Sequence, residues 1–175
     1  AIYPVAKKVY QRNSLDLAHH VTFGKYWAPS LLALLPIPFV WGPVGGAESA
    51  PRSFYKTFSR RGLLHELARD FARWLSQWDP FVRLDARKSC VTLSKSAETA
   101  KQVKQLGSKD VRIFPESGIS EEEIQQLGSL PLRRDFPFRL VGIGTLSHVK
   151  GFHLGIQAFA DLQRDFPSAE YWIIG

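Results

Sequence analysis

The sequence predicts an α/β chain in which parallel strands alternate with crossover helices, and three observations carry that prediction. Short apolar runs bounded by turn residues alternate with helical patterns, as parallel strands with helical connections require. Leu64, Leu67, Phe71, Trp74 and Trp78 recur at three- and four-residue steps, the spacing of one wide helical face. Near the C-terminal end, an apolar run passes through a glycine loop directly into a second helical pattern.

The elements follow in chain order. Leu15 to Phe23 (LDLAHHVTF) reads as a strand, and Tyr26 to Leu35 as a short helix stopped by Pro36. Ile37 to Trp41 is a short buried strand that ends in the turn Gly-Pro-Val-Gly-Gly. The stripe from Leu64 to Trp78 comes next, with Glu66, Arg69, Asp70 and Arg73 on its opposite side. Core packing is the expected fate of its apolar face, with a membrane surface as the alternative. Strand Ser89 to Leu93 leads to helix Ser96 to Leu106, with Ser94 or Ser96 as N-cap and Gly107 in the left-handed position past its end. Strand Val111 to Phe114 follows, and Ser120 with Glu123 forms a capping-box pattern opening a short acidic helix. Gly128 to Pro137 has two prolines and little periodicity, which makes 129–137 the expected linker between 1–128 and 138–175. Beyond it lie strand Phe138 to Ile143, a glycine loop, helix Phe152 to Arg164 and strand Ala169 to Ile174.

Composition narrows the function classes. An apolar share of 45% over 175 residues allows a packed core and argues against wholesale disorder. The one cysteine, Cys90, excludes an internal disulfide and reads as a buried structural thiol. The uncharged stretch Tyr26 to Ala47 is long enough to cross a bilayer, but four prolines and three glycines would leave its backbone unpaired in lipid. No signal-peptide pattern opens the chain. Net charge is +7, and Arg52, Lys56, Arg60 and Arg61 form a run of cations with no acid among them. A solvated face is the first reading of that run, and contact with an anionic membrane is the second. No spaced aromatics or metal ligands accompany it, which argues against nucleic acid.

The stretch FRLVGIGTLSHVKGFHLGIQAF carries the chemistry. Free amides and the positive end of a helix dipole face the loop bearing Gly142, Gly144 and Gly151, and Lys150 adds a full charge at the helix entrance. This is the composition of a phosphate site. A dinucleotide fingerprint fits less well, because Ser147 stands at its third glycine and Glu170 lies at the start of the following strand. A plain structural turn with an exposed lysine is the third reading. His19 and His20 alternate across a strand, so one faces a core or cleft and the other faces away. His65, His148 and His153 show no zinc spacing with Cys or acids, and no metal site is expected.

Val141 to Gly151 resembles the V-G-R-L-x-x-x-K-G pattern that opens the C-terminal domain of family 4 (group 1) retaining glycosyltransferases. Gly144, Leu146, Lys150 and Gly151 match, while Thr145 stands where that family has arginine. Earlier segments resemble the family in the same order. Asp16 and His19 match its D-x-x-H strand, and WGPVGGAES is similar to a Gly-Gly loop of a bacterial branch. Pro115, Gly118 and Ile119 match its P-N-G-I turn, with Glu116 and Ser117 filling the other places. FADLQRDFPSAEYWIIG matches the pattern that follows the lysine.

The resemblance implies a GT-B architecture of two Rossmann-like domains, here the end of the N-terminal acceptor-side domain and the beginning of the C-terminal nucleotide-sugar domain. It implies hexosyl transfer, with retention, from a UDP-, GDP- or ADP-sugar to a glycan, lipid-linked or small-molecule hydroxyl. No cofactor and no obligatory metal belong to that chemistry. Gly144, Thr145, Lys150 and Gly151 would hold the donor diphosphate, Gly45, Gly46 and Glu48 would line the acceptor side, and His19 would be catalytic. The implied setting is bacterial polysaccharide biosynthesis in the cytoplasm or at the inner face of the membrane. It also implies a fragment, lacking strands before Leu15 and a paired-glutamate motif after Gly175, that transfers no sugar alone. The non-enzymatic rival is a basic α/β scaffold that binds anionic lipid or a phosphorylated partner.

Overall fold

The computed structural model of the chain describes residues 2–21, 24–115, 117–131 and 137–175. Thr22 and Phe23 of the first expected strand, Glu116 of the Pro-Gly-Ile turn and residues 132–136 of the expected linker lie outside the described residues. The chain is mixed α/β with two parallel sheets, and it divides into two units. The first comprises Ala1–Ser49 and His65–Gly118, and the second Ala50–Leu64 and Ile119–Gly175. The sequence reading groups Ala50–Leu64 and the acidic helix after Ser120 with the first domain instead.

The first unit opens with helix α1 (Ile2–Arg12), whose Tyr3, Ala6 and Tyr10 recur on one face and pack against the core. Four parallel strands follow: β1 (Ala18–His20), β2 (Phe39–Val44), β3 (Ser89–Ser94) and β4 (Val111–Ile113), in sheet order β1-β2-β3-β4. Central strand β2 buries Phe39, Trp41 and Val44. Helices α3 (Pro80–Lys88) and α4 (Ala97–Leu106) add Val82, Ala86, Val103 and Leu106 to the same cluster. Helix α4 starts where sequence chemistry says it should. Ser96 Oγ accepts from Thr99 N–H, and Gly107 closes the helix at φ 117°.

Several expectations fail, each for a local reason. Tyr26 to Leu35 is no α-helix, and only Leu32–Leu34 makes a 3-10 turn. Pro29 biases the residue before it away from helical angles, and Tyr26 N–H donates to the Gly45 carbonyl instead of starting a helix. Strand β2 continues through Gly42 and Pro43 to Val44 rather than turning after Trp41, because pairing resumes beyond a register shift, with Val44 opposite Ser94. Helix α3 has no counterpart in the sequence reading. Its signal was Asp79-Pro80, since Asp79 Oδ1 accepts from Phe81 and Val82 N–H and Pro80 occupies the first helical position. Cys90 is exposed rather than buried, and its thiol donates to the Phe39 carbonyl at 3.1 Å.

The largest correction concerns helix α2 (Arg60–Ser76). Its apolar face does not enter the core. Leu64, Leu67, Phe71, Trp74 and Leu75 are exposed, while Glu66, Arg73 and Ser76 on the opposite side are buried. The polar side turns inward because it has work there. Arg73 pairs with Asp70 and donates to the carbonyls of Ala47 at 2.8 Å and Glu48 at 2.9 Å, with a longer contact of 3.3 Å to Gly46. Glu66 pairs with Arg69. These partners satisfy groups that burial would otherwise penalise by several kcal/mol.

The second unit contains a 3-10 turn at Arg52–Thr57, helix α5 (Glu121–Gly128), strand β5 (Arg139–Ile143), helix α6 (Phe152–Asp165) and strand β6 (Glu170–Ile174). The Ser120–Glu123 capping box forms with both of its hydrogen bonds. Strands β5 and β6 pair in parallel from Arg139–Glu170 to Ile143–Ile174. Two strands and one crossover helix cover little area, so Val141, Ile143, Trp172 and Ile174 stay largely exposed. Among the described residues, no helix is long and apolar enough to cross a membrane.

Candidate functional site

Parallel α/β sheets place their ligand sites beyond the carboxyl ends of the strands, where loops and helix N-termini converge. Each unit has a candidate site there. In the first, Gly45, Gly46 and Glu48 follow the end of β2, and Lys95 follows the end of β3. With Gly24, Lys25, Trp27 and Arg69 they line a cleft of about 670 Å³.

The Gly-Gly turn is held from two sides. Gly46 has φ 101°, and a Cβ there would come 2.5 Å from Trp27 Cζ3. A side chain is therefore excluded both by the backbone and by the ring. Glu48 closes the turn, accepting from Gly46 N–H at 2.8 Å through one oxygen and from the Thr99 hydroxyl at 3.0 Å and the Ser96 hydroxyl through the other. Burial pushes the Glu48 carboxyl up, but these hydrogen bonds outweigh it and hold the group below the usual carboxylate range. A carboxylate so committed is a strut of the loop and poorly matched to general-base work near neutral pH.

The cations of this cleft were not legible in the sequence. Lys95 lies along the two glycines, so that a Cβ on Gly24 would meet its Nζ at 2.8 Å and one on Gly45 its Cδ at 2.9 Å. Lys25 Nζ sits 5.7 Å from the centre of the Trp27 ring, a cation–π arrangement that keeps it over the cleft. Their only sequence signal was position, one lysine just beyond a strand end and one just after a glycine. The cleft thus offers an aromatic face, glycine backbone and positive charge, suited to a hydroxylated or anionic group.

His19 is not part of this cleft. It is exposed on β1, and its Nε2 donates to the Gly42 carbonyl at 2.8 Å. Asp16 is also exposed, two residues before that strand.

In the second unit, Gly144, Thr145, Lys150 and Gly151 share the loop between β5 and α6. Gly144 has φ 151° and Gly151 φ 69°, both in the region that favours glycine. Gly144 N–H donates to the Ile174 carbonyl, which ties the loop to the end of β6. The Lys150 side chain folds back over the loop, with Cε 3.7 Å from where a Gly144 Cβ would stand. The first amides of α6, at Phe152 and His153, precede the first intrahelical bonds, made by Leu154 and Gly155 to the Gly151 carbonyl.

Lys150 and Gly151 line a cavity of about 300 Å³ together with Phe54, Phe58, His148 and His153. Thr145 is exposed on the loop and is not among the residues lining that cavity. His153 was missed as a site residue. Its Nε2 is buried without a hydrogen-bond partner among the described residues, and it belongs to the first turn of α6 beside Lys150. A buried polar atom in that position is a ready contact for a ligand oxygen.

The chain matches no family model, no curated protein and no solved structure.

Proposed function

We propose that this chain forms part of a glycosyltransferase that moves a hexosyl group from a nucleoside-diphosphate sugar to a hydroxyl of a glycan, lipid-linked or small-molecule acceptor. The observation that carries the reading is the β5–α6 loop. Two glycines at positive φ, the amides of Phe152 and His153 at the start of α6 and the folded-back Lys150 converge on one small loop. Retention, the GT-B architecture and the two-domain division of labour rest on the resemblance described above.

The physical logic of transfer is simple. As the glycosidic bond to the diphosphate breaks, negative charge accumulates on the departing terminal phosphate. The Lys150 ammonium, the amides at the start of α6 and the unpartnered His153 Nε2 would meet that charge without rearrangement. Thr145 supplies a hydroxyl but no charge, so Lys150 carries the electrostatic burden in this loop. On the acceptor side, Trp27 offers a face for a sugar ring, and Lys25 and Lys95 suit an acceptor with an anionic group.

Losing a charge-assisted contact to a diphosphate costs on the order of 1.5–3 kcal/mol. Lys150→Ala should therefore weaken calorimetric binding of UDP, GDP or ADP by about ten- to a hundredfold relative to the parent chain. Thr145→Arg should strengthen it. Nucleotide affinity unchanged in Lys150→Ala would reduce the loop to a structural turn and remove the donor-site assignment. A parent chain that binds none of the three nucleotides would leave the non-catalytic scaffold as the better reading.

A further inference from the structure

We propose that the outward face of α2 is an interfacial docking surface for anionic membrane lipid. This proposal stands apart from the glycosyltransfer reading, because it rests on a different element and on none of the loop residues.

Leu64, Leu67, Phe71, Trp74 and Leu75 are each between 51% and 71% exposed. At 3.6 residues per turn they fall within an arc of about 100°, the width of a full amphipathic face, along roughly 16 Å of helix. Phe71 and Trp74 stack with ring centres 5.8 Å apart, so the aromatic part of the face is continuous. Trp78 and Phe81, just past the end of α2, are exposed as well. The helix cannot simply roll to hide this strip. Its other side is occupied by Arg73 clamping the 46–48 loop and by buried Glu66 with its partner Arg69.

Charge indicates what covers it. The exposed cations of α2 are Arg60 and Arg61, both at its N-terminal end, while Asp70 at the flank of the strip keeps a side chain 40% exposed. The acids of α2, Glu66 and Asp70, form ion pairs with Arg69 and Arg73 and leave the strip itself without negative charge. The chain immediately before α2 adds Arg52 and Lys56, both exposed. Leu, Phe and Trp on one face, with cations at one end and the flanking acid Asp70 paired with Arg73, is the composition of a helix that lies in the headgroup layer of an anionic bilayer. Tryptophan favours that depth because its ring is apolar and its N–H is polar.

The test is co-sedimentation of the whole chain with vesicles of phosphatidylglycerol and phosphatidylcholine, and with phosphatidylcholine alone. The parent should bind the anionic vesicles, more weakly as salt rises, and bind the zwitterionic ones poorly. The triple variant Leu67→Ser, Phe71→Ser, Trp74→Ser should lose binding by about tenfold or more, since apolar area is what inserts. Because these side chains are exposed, its circular dichroism and unfolding midpoint should match the parent. Arg60→Gln with Arg61→Gln tests the charge separately and should reduce binding to anionic vesicles only. No binding at low salt overturns the proposal. So does undiminished binding by the triple variant, which would assign the affinity to charge alone. A parent that dimerises through these residues and ignores vesicles would place a second copy on the face and overturn it equally.

Discussion

Asp85 projects from α3 into the first unit and is 1% exposed. Its Oδ2 accepts from Ser30 N–H at 2.7 Å, but Oδ1 has no hydrogen-bond partner among the described residues. Burial raises its carboxyl from the ordinary 3.8 to about 6; the Ser30 bond opposes that rise and nearby Asp79 adds to it. The sign follows from proton linkage. A carboxyl with a raised folded pKa holds its proton better in the native state, so the fold is favoured below the unfolded value. That advantage is lost as pH climbs from about 4 to about 6. At neutral pH the buried charge should cost the fold about 3 kcal/mol. Asp85→Asn removes the ionisation and keeps an oxygen for the Ser30 amide. At pH 7.5 it should raise stability by up to that amount, or about 6–12 °C in Tm for a chain of this length. At pH 4 the parent and variant should melt within a degree or two of each other, since both are then neutral at this site. Urea or thermal unfolding of both proteins at pH 4, 5, 6 and 7.5 measures the difference. A gap that is the same at every pH, or a variant less stable than the parent at pH 7.5, would refute the argument.

Two further perturbations address the acceptor-side cleft. Arg73→Ala removes hydrogen bonds to the Ala47 and Glu48 carbonyls together with the ion pair to Asp70, so urea unfolding should show a loss of about 2–4 kcal/mol. Arg73→Lys should recover only part of it, since an ammonium cannot span the same carbonyls in one plane. Gly46→Ala should destabilise by more than about 1 kcal/mol, because φ 101° and the Trp27 ring both reject a Cβ. A Gly46→Ala protein as stable as the parent would mean the turn relaxes away from Trp27.

What the sequence determined by itself was written in local chemistry. Ser96 and Gly107 bracket α4, and Ser120 with Glu123 opens α5, because caps are satisfied within a few residues of the chain. Strand β3 and the β5–loop–α6–β6 order were legible for the same reason, as apolar runs and glycines act on their own backbone. The grouping of Gly144, Lys150 and Gly151 on one loop is equally local. The tertiary structure decided everything that depends on a distant partner. Periodicity identified the two faces of α2 but could not say which turns inward, because the answer lies in the carbonyls of residues 46–48, about 25 positions upstream of Arg73. Likewise, Lys95 reaches the cleft only because β2 and β3 are neighbours in the sheet and Gly24 and Gly45 leave it room. The Tyr26 amide found the Gly45 carbonyl instead of a helical one, and Cys90 is exposed on β3 with its thiol on the Phe39 carbonyl. Local spacing records the hydrogen bonds a segment can make with itself, whereas burial is settled by which other segment offers the better partner.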